Sequence, residues 1–139
     1  MKCALAPVEN INMLKARQWA QALTLALSTL TLNAAMAHGA AKPQHGGVVQ
    51  VASEINFELV QRAEGVVIYL VDHDQPLSSV GITGKLTVLN GATKIEAELK
   101  AAGDNKLEAK GIKVDSGAKL VASLSNVKGK TLTVRFAIK

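Results

Sequence analysis

The sequence predicts an all-β protein, a single antiparallel β-sandwich of about eight short strands, preceded by a helical signal peptide. Three observations lead there. From Gly46 onward, apolar and polar residues alternate with a period of two. Turn-forming residues interrupt that alternation at short intervals. Ahead of it lies an apolar stretch that ends in Ala35-Met36-Ala37.

Residues 1–37 read as a secretory leader. Lys15 and Arg17 form its positive region, and "WAQALTLALSTLTL", Trp19 to Leu32, is an apolar core of fourteen residues. Ala35-Met36-Ala37 then supplies small residues at the cleavage positions. The apolar core is shorter than the roughly 20 residues a transmembrane helix needs, so an uncleaved anchor stands only as the alternative. The opening "MKCALAPVENIN" carries Pro7 and Glu9 and adds nothing to export, so initiation at Met13 would suit the leader better. Cys3 precedes the apolar core and is not placed for lipid attachment. The expectation is export to the periplasm, cleavage after Ala37, a flexible segment over 38–46 and a β-domain over 47–139.

Cleavage removes Cys3, Trp19 and the three methionines, Met1, Met13 and Met36, and keeps all three histidines. The whole chain has 16 Lys+Arg against 11 Asp+Glu; losing Lys2, Lys15, Arg17 and Glu9 lowers its net charge from +5 to +3. So small a charge, with no arginine cluster and few aromatic rings, gives no footprint for nucleic acid. Without cysteine no disulfide can form in an oxidising compartment, so the core alone must hold the fold.

The strands follow in order. "GGVVQVA" (46–52), "INFELVQ" (55–61) and "VVIYLVD" (66–72) are rich in β-branched and aromatic residues. "GKLTVL" (84–89) turns Leu86 and Val88 inward, and "TKIEAELK" (93–100) sets Ile95, Ala97 and Leu99 against Lys94, Glu96, Glu98 and Lys100. "KLEAK" (106–110) and "AKLVASLS" (118–125) continue the pattern, and "TLTVRFAIK" (131–139) faces Leu132, Val134, Phe136 and Ile138 inward. Slipping "TKIEAELK" or "TLTVRFAIK" by one residue would expose its whole apolar set, so these two strands also fix their own register. Turns are expected at Glu64-Gly65, "DHDQPLSS", Asn90-Gly91, "GDN" at 103–105, Ser116-Gly117 and Lys128-Gly129. Asn90-Gly91 is expected at the centre of a type I′ turn, which needs positive φ at both central residues. Phe57, Tyr69 and Phe136 are expected in the core. A domain with so many short strands in under a hundred residues has the size of an immunoglobulin-like sandwich.

Chemistry is sparse. The chain has no G-x-S-x-G elbow, no cysteine nucleophile after cleavage, no phosphate-binding glycine loop and no H-E-x-x-H helix, so the expectation is no enzyme. Metal binding is better motivated. Cleavage would put the α-amino nitrogen and the imidazole of His38 on one residue, where both can close a chelate ring on a cation. His45 follows on a short tether ending in Gly46-Gly47, and His73 lies in "VDHDQP", where Asp72 or Asp74 could add an oxygen. Nitrogen and oxygen donors without sulfur suit Cu(II), or another divalent transition metal, rather than Cu(I). The candidate metal residues are therefore His38, His45, His73 and Asp72. The plainer reading of each histidine is an exposed residue in a turn or tether.

The run from His45 to Gly91 also resembles a family of small bacterial periplasmic proteins that open on "HGG-x-V". It is similar to the β-domain of some periplasmic adaptor subunits of heavy-metal efflux pumps. His45, Gly46 and Gly47 match the opening, and Phe57-Glu58-Leu59-Val60 the second element. Tyr69, Asp72 and Pro76 match the third, and Gly84 and Lys85 the fourth; the later "KLEAKGIKVDSGAKLVASLS" and "KTLTVRF" fit as well. The resemblance implies a β-sandwich, a periplasmic address and an association with metal handling; it does not supply a ligand set.

Two functions from different classes follow. One is a periplasmic carrier or buffer for a divalent metal, linked to efflux or resistance, with efflux components as partners. The other is a non-catalytic interaction module that docks a sheet edge or the "DHDQPLSS" loop onto a larger envelope protein. An enzyme whose site is completed by a partner chain ranks third.

Overall fold

The computed structural model describes residues 41–139, so the expected leader, the expected cleavage site and His38 lie outside the described residues. Nine antiparallel strands run through them: β1 (Val48–Ala52), β2 (Ile55–Arg62), β3 (Gly65–Asp72), β4 (Gln75–Pro76), β5 (Thr83–Asn90), β6 (Thr93–Ala101), β7 (Lys106–Lys110), β8 (Lys119–Val127) and β9 (Lys130–Ala137). Among the described residues there is no helix. The eight expected strands are all present, and the two-residue β4 is an addition that pairs Val71 with Pro76 and Asp72 with Gln75.

The strands form one hydrogen-bonded sheet in the order β1-β2-β3-β7-β6-β5-β8-β9, with β4 beside β3. The strands at its two ends, β1 and β9, approach each other without a registered ladder, so the sheet nearly closes on itself. Its narrowest seam is between β6 and β7, where only Lys100–Glu108 and Ala101–Leu107 pair. Apart from β4, the strands turn alternate residues to one interior. Phe57, Leu59, Val66, Ile68, Leu70, Leu86, Val88, Leu99, Leu107, Leu120, Leu124 and Phe136 meet there in a single apolar cluster. Close packing of so many aliphatic chains, rather than aromatic mass, drives the fold.

Turn chemistry departs from expectation at one hairpin. Asn90 pairs with Thr93, so Gly91 and Ala92 are the central residues, and only Gly91 has positive φ. That is the II′ pattern, with glycine first, rather than I′ centred on Asn90-Gly91. Asn90 works instead as a brace: its amide donates to the Lys113 carbonyl and its carbonyl accepts from the Asp115 N–H. This ties down the connection between β7 and β8. Type I′ geometry occurs elsewhere, at Ser53-Glu54 and at His73-Asp74, where both central residues have positive φ without being glycine.

Tyr69 is a second correction. It belongs to the outward-facing set of β3, between buried Ile68 and Leu70, and it is only half-buried. The reason is register: Tyr69 pairs with Glu58 across the β2–β3 ladder, and both project away from the interior. Phe57 and Phe136 are in the core as expected.

Candidate functional site

β2 breaks its own alternation. Ile55, Phe57 and Leu59 face the interior, yet Glu58 and Val60 on the opposite face are buried as well. A carboxylate on an outward strand position normally sits in water; burying one without partners costs far more than burying an amide. What covers Glu58 is the chain just before β1.

Residues 41–47 double back across the outer face of β1, β2 and β3 as a strap. Glu58 holds it. Its Oε1 accepts the His45 N–H at 2.7 Å and the Gly47 N–H at 2.9 Å. Its Oε2 accepts the Gln44 N–H at 3.0 Å and the His45 ring at Nδ1, 2.9 Å away. The tether expected before the domain thus has its last residues, Gln44 to Gly47, bonded to the sheet. The strap continues over the same face, where Ala41 and Lys42 line a small crevice with Asn56, Val71 and Asp74.

Both glycines of "HGG" serve this geometry, for different reasons. Gly46 has φ +74°, the left-handed region that side chains rarely adopt. At Gly47 a Cβ would meet the Leu59 carbonyl oxygen at 2.3 Å and a Val60 methyl at 2.8 Å, so only a hydrogen fits.

The His45 ring is clamped on two sides. It stacks on Tyr69 with centroids 3.6 Å apart and planes 3° from parallel, and its edge meets Glu58. Burial of Glu58 works to raise its pKa; the Gly47 N–H, the His45 ring, and the His45 and Gln44 amides outweigh that and hold it below the usual glutamate range. An ionised carboxylate only accepts, so the His45 Nδ1 must carry the proton. In the neutral imidazole this leaves a lone pair on Nε2. Among the described residues no group bonds Nε2, and the side chain is 35% exposed.

His73 repeats the arrangement in the turn between β3 and β4. Its Nδ1 lies 2.6 Å from Asp72 Oδ1, while Asp72 Oδ2 accepts from Lys128 Nζ at 2.6 Å. The Lys128 ammonium, and after it the His73 ring, hold the Asp72 carboxyl below its usual range. The His73 side chain is 75% exposed, and among the described residues its Nε2 is also unpaired. Asp72 thus has both oxygens bonded, one to the His73 ring and one to the Lys128 ammonium.

Of the four residues expected to bind metal, His38 lies outside the described residues. His45 and His73 sit on the same strand system but at different levels: Tyr69, under His45, is three residues from Asp72 along β3, about 10 Å at the usual rise. Among the described residues no three His, Cys, Asp or Glu side chains converge as a metal cluster. The larger hollows, at the β6–β7 seam and beside the β1–β9 gap, are lined by no histidine.

Glu58 was missed by sequence reasoning, which assigned it to a strand and gave it no role. Val60, Val67, Tyr69 and Val71, apolar residues at outward positions of β2 and β3, were the available signal that something covers this face. Comparison with protein-family models, with curated proteins and with solved structures gives no match.

Proposed function

We propose that this protein is an exported, periplasmic β-domain that binds a divalent transition metal, Cu(II) in preference, and acts as a carrier or buffer linked to metal efflux or resistance. In this reading it catalyses nothing. The His38 amino group and ring anchor the ion, and His45 or His73 completes the site. Asp72 serves by orienting His73, since both its oxygens are bonded already. The observation that carries the reading is shared by both described histidines. Each has a carboxylate on Nδ1 and, among the described residues, no partner on Nε2, the outer-shell arrangement usual for metal-binding imidazoles. The same reading takes the fold as an immunoglobulin-like sandwich, with β1-β2-β3-β7 and β6-β5-β8-β9 as its layers; the short β6–β7 seam supports that division.

Native mass spectrometry of the periplasmic protein tests it. The expected species is His38–Lys139 retaining one copper after one equivalent of Cu(II), with the adduct lost in His38→Ala. Equal copper retention by both forms, or none by either, would refute the anchor.

A second reading, an interaction module docking on a larger envelope protein, is favoured by one feature. Val80 is 80% exposed in the loop before β5, between buried Ser79 and Ile82. A partner bound there would stay bound in chelator and would be lost on Val80→Asp.

A further inference from the structure

The strap geometry specifies more than that His45 is available; it specifies which atom of it is. We propose that Glu58 is a positioning residue for metal binding: by holding the Nδ1–H of His45 it presents Nε2, and only Nε2, to the cation. This rests on the metal reading above and adds the ligand atom and the residue that selects it.

Five contacts make the assignment. Glu58 bonds both the backbone N–H and the ring of His45, so backbone and side chain are fixed by one carboxylate. The Gln44 and Gly47 amides fill the remaining acceptor positions, which leaves the carboxylate no room to swing onto the ion as a ligand itself. Tyr69 lies flat against one face of the ring and prevents rotation about the Cβ–Cγ bond. A ring held at Nδ1 and on one face can accept a metal only at its far nitrogen. The negative charge opposite Nδ1–H also makes Nε2 a stronger donor.

Tyr69 also gives the site a reporter. It is the only tyrosine in the sequence, and the only tryptophan, Trp19, lies in the leader. Tyrosine emission from the processed protein therefore comes from the ring stacked on His45. Cu(II) bound to His45 should quench it strongly at one equivalent.

Three measurements on the processed protein decide the matter. Zn(II), a diamagnetic probe, is followed by long-range ¹H–¹⁵N correlation of the histidine rings: the His45 Nε2 resonance is expected to move while Nδ1 stays protonated. Cu(II) is followed by Tyr69 fluorescence. Glu58→Gln is then expected to weaken Cu(II) binding by about 10–100-fold and to let the metal distribute over both ring nitrogens. A purely structural role would weaken the fold in Glu58→Gln yet leave the choice of nitrogen unchanged. Metal on Nδ1 in the unaltered protein overturns the proposal, and that result needs no variant to fold. One copper retained by mass with Tyr69 emission undiminished overturns it too, while leaving the His38 anchor standing. No copper retained at all removes both.

Discussion

Removing the Glu58 carboxylate should release the strap and cost a large part of the stability of the domain. In Glu58→Ala three backbone amides and one imidazole lose an ionised acceptor at 2.7–3.0 Å. Hydrogen bonds to charged groups contribute about 1.5–3 kcal/mol each, but the strap lies at the surface and its freed amides can turn to water. The full sum is therefore not lost. A stacked ring pair adds about 0.5–1.5 kcal/mol when it goes as well. The expected loss is about 3–5 kcal/mol, below the sum of four hydrogen bonds to a charged acceptor. For a domain near a hundred residues that lowers Tm by at least about 12 °C. Urea unfolding followed by circular dichroism measures the loss, with an unchanged m-value expected because the apolar cluster is intact. Hydrogen exchange supplies the local readout: the amides of Gln44, His45 and Gly47 should lose protection while those of β5 and β8 keep theirs. A loss below about 1 kcal/mol, with those three amides still protected, would show that the carboxylate is not what holds the strap.

Three further outcomes are expected. Because the folded pKa of Glu58 lies below the ordinary value of 4.5, its contribution is complete above that pH. It falls away as the pH drops below 4.5 toward the folded pKa, so the stability gap between the unaltered protein and Glu58→Gln should narrow in acid; a gap that stays constant down to the acid transition would contradict this. Gly47→Ala should cost about 2–3 kcal/mol through overpacking against Leu59 and Val60. Gly46→Ala should cost only the left-handed backbone strain, about 1–2 kcal/mol, and thermal melts that reverse this order would disprove the steric account. Replacing Ser53-Glu54 by Asn-Gly should raise stability by about 0.5–1 kcal/mol, since both positions have positive φ and no tertiary bond; a lower Tm would show that the turn is not the strained element.

The strands were legible because burial on one face writes a period of two into the sequence. "TKIEAELK" and "TLTVRFAIK" carry their own register, and the structure pairs them as that register requires. Asn90-Gly91 signalled the right hairpin but the wrong centre, because an asparagine that braces a distant loop looks the same as one that enters a turn. Tyr69 looked like core because aromatic rings usually are; its face was fixed by parity with Ile68 and Leu70, and the cover over it came from residues 22 and more positions earlier.

By itself, then, the sequence determined an all-β antiparallel chain and the place of its strands. Alternation and turn propensity are local, and local patterns can be read in one dimension. Only the tertiary structure decided that the sheet nearly closes, that a strap crosses the outer face of β2, and that Glu58 holds it at His45. Those depend on the meeting of residues 44–47 with residue 58 and residue 69. No periodicity marks such a meeting, because a buried carboxylate is stable only once four donors from another segment have been brought to it.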